Sequence, residues 1–195
     1  MASILLLDNY DSFTFNLLHY VEEFGKHHVE VFRNDQIRVD EANRFDGIIL
    51  SPGPGIPSEA GNLLPIISEY YKTKRIFGVC LGLQAIAESF GGTLVNISKV
   101  YHGVATSMII RPPIHYIFEG VNRTFEAGRY HSWVVNPDGL PQCLKVDATD
   151  GNGQIMALSH REFDVCGVQF HPESILTPAG KTIMFNWLKK FKHHP

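Results

Sequence analysis

Short, almost wholly apolar runs that alternate with helical periodicity restrict this fold more than any other feature. Residues 3–7 form one such run, after which Phe13, Leu17, Val21 and Phe24 recur at helical spacing until Gly25 ends the pattern. Residues 29–32, 46–50 and 75–79 are three more runs of the same kind. A helix is expected to open near Pro65, where proline suits the first turn. Past Cys80, the residues Leu83, Ile86, Ala87 and Phe90 stand at helical positions, and Gly91-Gly92 closes that helix. Near-continuous apolar strands separated by helices predict a parallel sheet covered on both faces.

The second half has a different rhythm. Segments 93–97, 105–110, 124–130, 143–148, 154–159 and 165–170 read as successive strands with turns between them, in part antiparallel. A last helix is expected from Thr177 as N-cap, with Pro178 at its first position, burying Met184, Trp187, Leu188 and Phe191. Lys189, Lys190 and Lys192 are then cations suited to the negative end of that helix. No repeat or low-complexity linker intervenes. Residues 1–195 are therefore expected to form a single domain: an α/β fold with an open, mostly parallel twisted sheet, helices on both faces and additional antiparallel strands.

Composition narrows the function. A chain of 195 residues buries enough surface to need no disulfide or metal staple. The formal charge of -3, without a Lys/Arg cluster on one face, argues against nucleic-acid binding. The first apolar run stops at Asp8, too short for a signal-peptide core or a membrane span, so a cytoplasmic, reducing location is expected. Cys80, Cys143 and Cys166 are widely spaced with no C-x-x-C pair, which argues against a disulfide framework or a zinc site. His27-His28 and His193-His194 lie in polar surroundings and no H-E-x-x-H occurs, so these histidines read as solvated rather than metal-bound.

Three stretches carry chemistry. GVCLGLQ, residues 78–84, has the G-x-nucleophile-x-G spacing of a strand–turn–helix elbow, with a thiol at its apex. At a helix N-terminus, free N–H groups and the helix dipole favour the thiolate. The same cysteine also fits a plain role as a small packed hydrophobe. His171-Pro172-Glu173 is the second stretch. A strand ending at His171, continued as an extended H-x-E, would turn both side chains to one side, so that the carboxylate orients the imidazole as acid and base. The third is Ser51-Pro52-Gly53-Pro54-Gly55, where only the glycines can donate from the P-G-P-G core, since proline has no N–H. Gly53 or Gly55, with the N–H of Leu81, would make an oxyanion site, although a Gly/Pro turn after a strand needs no function at all.

Taken together, SPGPGIP, GVCLGLQ and QFHPES resemble the class I glutamine amidotransferases, and DNYDSFTFN at 8–16 resembles their chorismate-using branch. The resemblance covers essentially the whole chain. It implies a Cys80-His171-Glu173 triad that hydrolyses the side-chain amide of L-glutamine through a γ-glutamyl thioester, without metal or organic cofactor. Gly53 and Leu81 would support the oxyanion, and Gly53, Pro54, Gly55, Gln84, Ser132 and Trp133 would contact glutamine. The implied partner is a chorismate-binding synthase large subunit, either anthranilate synthase component I or aminodeoxychorismate synthase component I, that receives the ammonia. Neither a nucleic acid nor a membrane is implied. Three positions depart from the branch: Leu83 stands where histidine is usual, Trp133 where leucine is common and Val104 where lysine is frequent. A non-catalytic doubly wound binding domain and a stand-alone cysteine hydrolase are the competing readings.

Overall fold

The computed structural model of the chain describes residues 1–98 and 100–191. In chain order its elements are β1 (Ala2–Asp8), α1 (Thr14–Phe24), β2 (His27–Arg33), β3 (Gly47–Leu50), α2 (Leu63–Tyr70), β4 (Arg75–Val79), α3 (Leu81–Ser89), β5 (Leu94–Asn96), β6 (Val104–Ile110), β7 (Thr124–Arg129), β8 (Trp133–Val135), β9 (Leu144–Asp150), β10 (Ile155–His160), β11 (Val165–Val168) and α4 (Gly180–Leu188). Nine strands form one sheet in the order β2-β1-β3-β4-β11-β10-β9-β6-β7, and β5 pairs with β8 apart from it.

The sheet changes character along its width, as the two halves of the sequence predict. From β2 through β1, β3 and β4 to β11 every pairing is parallel, and from β11 through β10, β9 and β6 to β7 every pairing is antiparallel. Period-two alternation in β1 explains why that strand is apolar throughout. Ile4 and Leu6 pack with Leu17, Val21 and Trp187 on one face, whereas Leu5 and Leu7 pack with Ile48, Leu63 and Ile86 on the other. Each such side chain contributes roughly 1.5–3 kcal/mol when fully buried. Both faces are therefore covered by helices, and the carboxyl ends of the parallel strands are left to carry loops.

Among the boundaries that differ from expectation, two shape the site. β11 ends at Val168, not Phe170: Gln169 N–H still bonds Met156 O of β10 at 2.9 Å, but His171 N–H turns away to Gly128 O of β7 at 3.0 Å. α4 starts at Gly180 with Ala179 at its N-cap, two residues later than a Thr177 N-cap suggested. The Thr177 hydroxyl is engaged elsewhere, donating to His171 O at 2.7 Å and accepting from Gly128 N at 3.0 Å. Met184, Trp187, Leu188 and Phe191 are buried as expected. Lys192, His193 and His194 lie outside the described residues.

Candidate active site

β4 delivers the chain to Cys80, which is the N-cap of α3 and holds φ 52° and ψ -101°. A non-glycine residue rarely adopts such a conformation, at a cost of about 1–3 kcal/mol, and it persists only where the surroundings fix it. Here they do: Cys80 N–H bonds Val168 O at 2.8 Å, and Gln84 N–H bonds Cys80 O at 3.1 Å. The flanking glycines serve close packing. A Cβ on Gly78 would sit 2.5 Å from the Gly82 carbonyl carbon, and one on Gly82 would sit 2.5 Å from Leu50 O. Within the elbow the strain is thus confined to the thiol-bearing residue.

His171 and Glu173 meet across a turn rather than along an extended strand. Ser174 N–H bonds back to His171 O at 3.2 Å, and the turn brings His171 Nδ1 to 2.7 Å from Glu173 Oε1. Both side chains are buried. The rings of Tyr130 and Phe13 pack on the imidazole, with centroids 4.8 and 5.3 Å away. Burial by itself would lower the imidazole pKa, but Cys80 and Glu173 together push it up to about 10. Cys80 is near enough to favour the protonated ring, although Nε2 makes no aligned hydrogen bond.

A cavity of about 220 Å³ opens over the thiol, lined by Gly53, Pro54, Gly55, Cys80, Gln84, Tyr130, His131, Ser132 and Trp133. An adjoining cleft of about 460 Å³ shares Gly53, Pro54, Cys80 and Tyr130 and adds His171, with Tyr10, Phe13, Pro52 and His102 among its walls. Every residue anticipated from the sequence falls in these two walls except Leu81 and Glu173. Leu81 is next to Gly53, where a Cβ would come within 2.8 Å of Leu81 Cδ2 and within 2.6 Å of Asn9 O. As the first residue of α3, Leu81 has an N–H outside the helical ladder. Leu83 is wholly buried in the core and Val104 is exposed at the start of β6, so neither of those departures lines the cavity. Trp133 does. Its carbonyl is taken up inside the protein by His131 Nδ1 at 3.0 Å and Gln84 Nε2 at 3.0 Å.

Sequence reasoning passed over the residues behind this wall. Arg129, 1% exposed, pairs with Asp150 at 2.8 Å and donates from Nε to His131 Nε2 at 3.1 Å. Because guanidinium only donates, His131 Nε2 must carry the lone pair and Nδ1 the proton. Burial and the neighbouring Arg129 charge lower the His131 pKa to about 3, so the ring is neutral in the working range. Gln169 is wholly buried and reaches the Cys80 sulfur. Arg129 and His131 lie just before Ser132 and Trp133 in sequence and Gln169 opens the QFHPES stretch, and that was the one signal that could have found them. Among the described residues no group of three His, Cys, Asp or Glu side chains can hold a metal ion, and no helix is long and apolar enough to cross a membrane.

A strained thiol at a strand–helix elbow, a buried His-Glu pair and an open parallel sheet define a class, and comparison with known proteins agrees with it. The chain belongs to the class-I glutamine amidotransferases, whose family description, Glutamine amidotransferase class-I, matches residues 5–191. Within that family it is 44% identical to the aminodeoxychorismate/anthranilate synthase component 2 of Bacillus subtilis (strain 168), over 97% of each chain. It is 46% identical to the anthranilate synthase component 2 of Azospirillum brasilense, over 95% of this chain and 94% of that one. The aminodeoxychorismate synthase component 2 of Escherichia coli (strain K12) is 44% identical, over 96% of this chain and 100% of that one. In three dimensions, a "putative gmp synthase subunit a protein" from Thermoplasma acidophilum superposes with a TM-score of 0.84 at 26% identity, covering 97% of this chain and 93% of that one.

Proposed function

We propose that this chain is the glutaminase subunit of an anthranilate synthase, hydrolysing L-glutamine and passing ammonia to a chorismate-binding large subunit. The observation that carries the reading is the placement of Cys80, in its strained elbow, in the wall of the same cleft as the Glu173-bonded His171. In the first half-reaction the Cys80 thiolate attacks the carboxamide carbon. Charge builds on the carboxamide oxygen, and the N–H groups of Gly53 and Leu81 receive it. The His171 imidazolium protonates the departing nitrogen, ammonia leaves and a γ-glutamyl thioester remains. Neutral His171 then takes a proton from water, whose oxygen attacks the acyl carbon. The C–S bond breaks, its electron pair returns to sulfur, and glutamate departs. Glu173 holds the imidazole in the tautomer and direction that both steps need. Gln84 Oε1, whose amide nitrogen is bonded away from the cavity, is a neutral acceptor for the substrate's α-ammonium group.

The partner follows from chemistry as well as from kinship. The domain proposed over residues 1–195 has the cavity and cleft described here for glutamine, and the relatives named component 2 of a synthase support a chorismate-binding component as its partner. Ammonia released in the open is protonated near neutral pH and lost as a nucleophile, so a docked synthase with a shielded path is part of the proposal. Apolar surface beside the site suits docking: Ile175, two residues past Glu173, is 96% exposed, and Tyr10 on the rim of the cleft is 46% exposed. A second reading, the amidotransferase subunit of aminodeoxychorismate synthase, is favoured by the 44% identity to that subunit of Escherichia coli. Reconstitution with each synthase, chorismate and glutamine separates the two. Anthranilate formed together with equimolar glutamate supports the first, aminodeoxychorismate the second. Full glutaminase turnover by the isolated chain, unchanged on adding either synthase, defeats both.

A further inference from the structure

Among the described residues the Cys80 sulfur accepts a hydrogen bond from Gln169, whose Nε2 lies 3.4 Å from Sγ. An amide side chain can face either way, so its neighbours decide which end meets the sulfur. The Trp133 carbonyl can only accept, and it therefore turns the amino end of Gln84 towards itself at 3.0 Å. The same Gln84 nitrogen reaches Gln169 Oε1 at 3.1 Å. That bond leaves the amino end of Gln169 for the sulfur. At the far end the chain is anchored by His131, whose Nε2 is occupied by Arg129 and whose Nδ1 donates to the same Trp133 carbonyl. Donor and acceptor roles are thus settled along the whole path, and buried networks of this kind hold their members rigidly.

We propose that Gln169 is a catalytic residue of the glutaminase centre, giving an N–H to the Cys80 sulfur as it becomes the attacking thiolate and again when that sulfur leaves the thioester. The inference rests on Cys80 being the nucleophile. No proton is transferred from Gln169: the amide stabilises negative charge, while His171 carries the protons in both half-reactions. A hydrogen bond offered to the charged form favours that form. The titratable groups around the sulfur are His171, with Glu173 behind it, and in the cavity and cleft walls Tyr10, Asp11, His102, Tyr130 and the neutral His131.

The test measures carboxamidomethylation of Cys80 by iodoacetamide in the full chain across pH. Peptide mass separates Cys80 from Cys143 and Cys166, and glutaminase kinetics are read in the reconstituted complex. Gln169→Leu is expected to slow Cys80 labelling at mildly acidic pH by about tenfold, with recovery at higher pH, because one charge-assisted hydrogen bond is lost. Gln169→Glu keeps the shape and sets a carboxylate against the thiolate, so labelling should fall further. Both variants should lower kcat with little change in the KM for glutamine, whereas Gln84→Leu should raise KM and shift the labelling profile less. Wild-type labelling profiles in Gln169 variants that melt normally overturn the proposal. Should neither Gln169 variant fold, an unshifted profile in Gln84→Leu overturns it instead. If wild-type Cys80 is not labelled selectively, the nucleophile assignment itself fails; if it is labelled and the variants match it, only the role of Gln169 fails.

Discussion

The two flanks of the candidate active site are assembled in opposite ways. Cys80 is presented by β4, one strained residue and α3, contiguous in sequence, with Gly78 and Gly82 allowing the turn to close against itself and β3. The His171-Glu173 turn is held from a distance: by Gly128 O on the His171 amide, by Thr177 bridging Gly128 and His171, and by the rings of Phe13 and Tyr130. Holding a strained thiol at the wall of a cleft is a local problem that a strand–helix junction solves. A fixed distance between nucleophile and base is a tertiary problem, and it takes several elements to solve it.

The most severe way to probe the local flank is Cys80→Ala. It should reduce glutamine-dependent product formation by about 10⁴-fold or more, as loss of a nucleophile does, while ammonia-dependent formation by the partner persists. A variant that still consumes glutamine at the normal rate would remove Cys80 from the chemistry. On the distant flank, Glu173→Gln should keep the fold and lower kcat by about 10³-fold, because the imidazole loses its orienting charge. An unchanged rate would mean that packing by Tyr130 and Phe13 suffices to orient His171.

Thr177→Val sharpens the comparison further, since it touches neither substrate nor sulfur. It leaves Gly128 N–H and one acceptor site of His171 O without their buried partner, costing about 1–3 kcal/mol in urea unfolding. A roughly tenfold fall in kcat should accompany it if the staple sets the position of His171. Wild-type kcat in a destabilised protein would show that the turn is self-supporting and the contrast overstated.

The smallest effect is in the pH dependence of stability. The His171 pKa is raised in the folded protein to about 10, where burial is outweighed by Cys80 and Glu173. Its contribution to stability is therefore complete below its ordinary value of 6.5 and is lost as pH rises through about 10. Urea midpoints should fall between neutral pH and pH about 10, and Glu173→Gln should move that fall to lower pH. A His171 NMR titration near its ordinary value in the folded wild type would contradict the assignment.

Much of this was legible in the residues. Arg75–Val79 was readable as a strand to the residue, and α1 to within one position, because apolar periodicity and Gly25 act locally. The elbow was legible for the same reason. β8 was not, since Trp133–Val135 is three residues long and shows no period. The start of α4 was misplaced because Thr177, a good N-cap by type, spends its hydroxyl on His171 and Gly128. The H-x-E pair was read correctly as a pair and wrongly as a strand: proline after His171 suits extended backbone, but the bond from Ser174 closes a turn.

By itself the sequence determined the parallel half of the sheet, the identity of the strained cysteine and the types of group assembled around it, because these depend on neighbours a few residues apart. Only the tertiary structure decided how those groups face one another. His131 is neutral because it is buried and because Asp150 holds the Arg129 guanidinium against it, and Gln169 offers a donor to sulfur because Gln84 and Trp133 leave it no other orientation. Cys80 and Gln169 are 89 residues apart, and no local pattern specifies which end of an amide meets a partner at that separation. Burial settles it, since each donor and acceptor out of reach of water must find its complement.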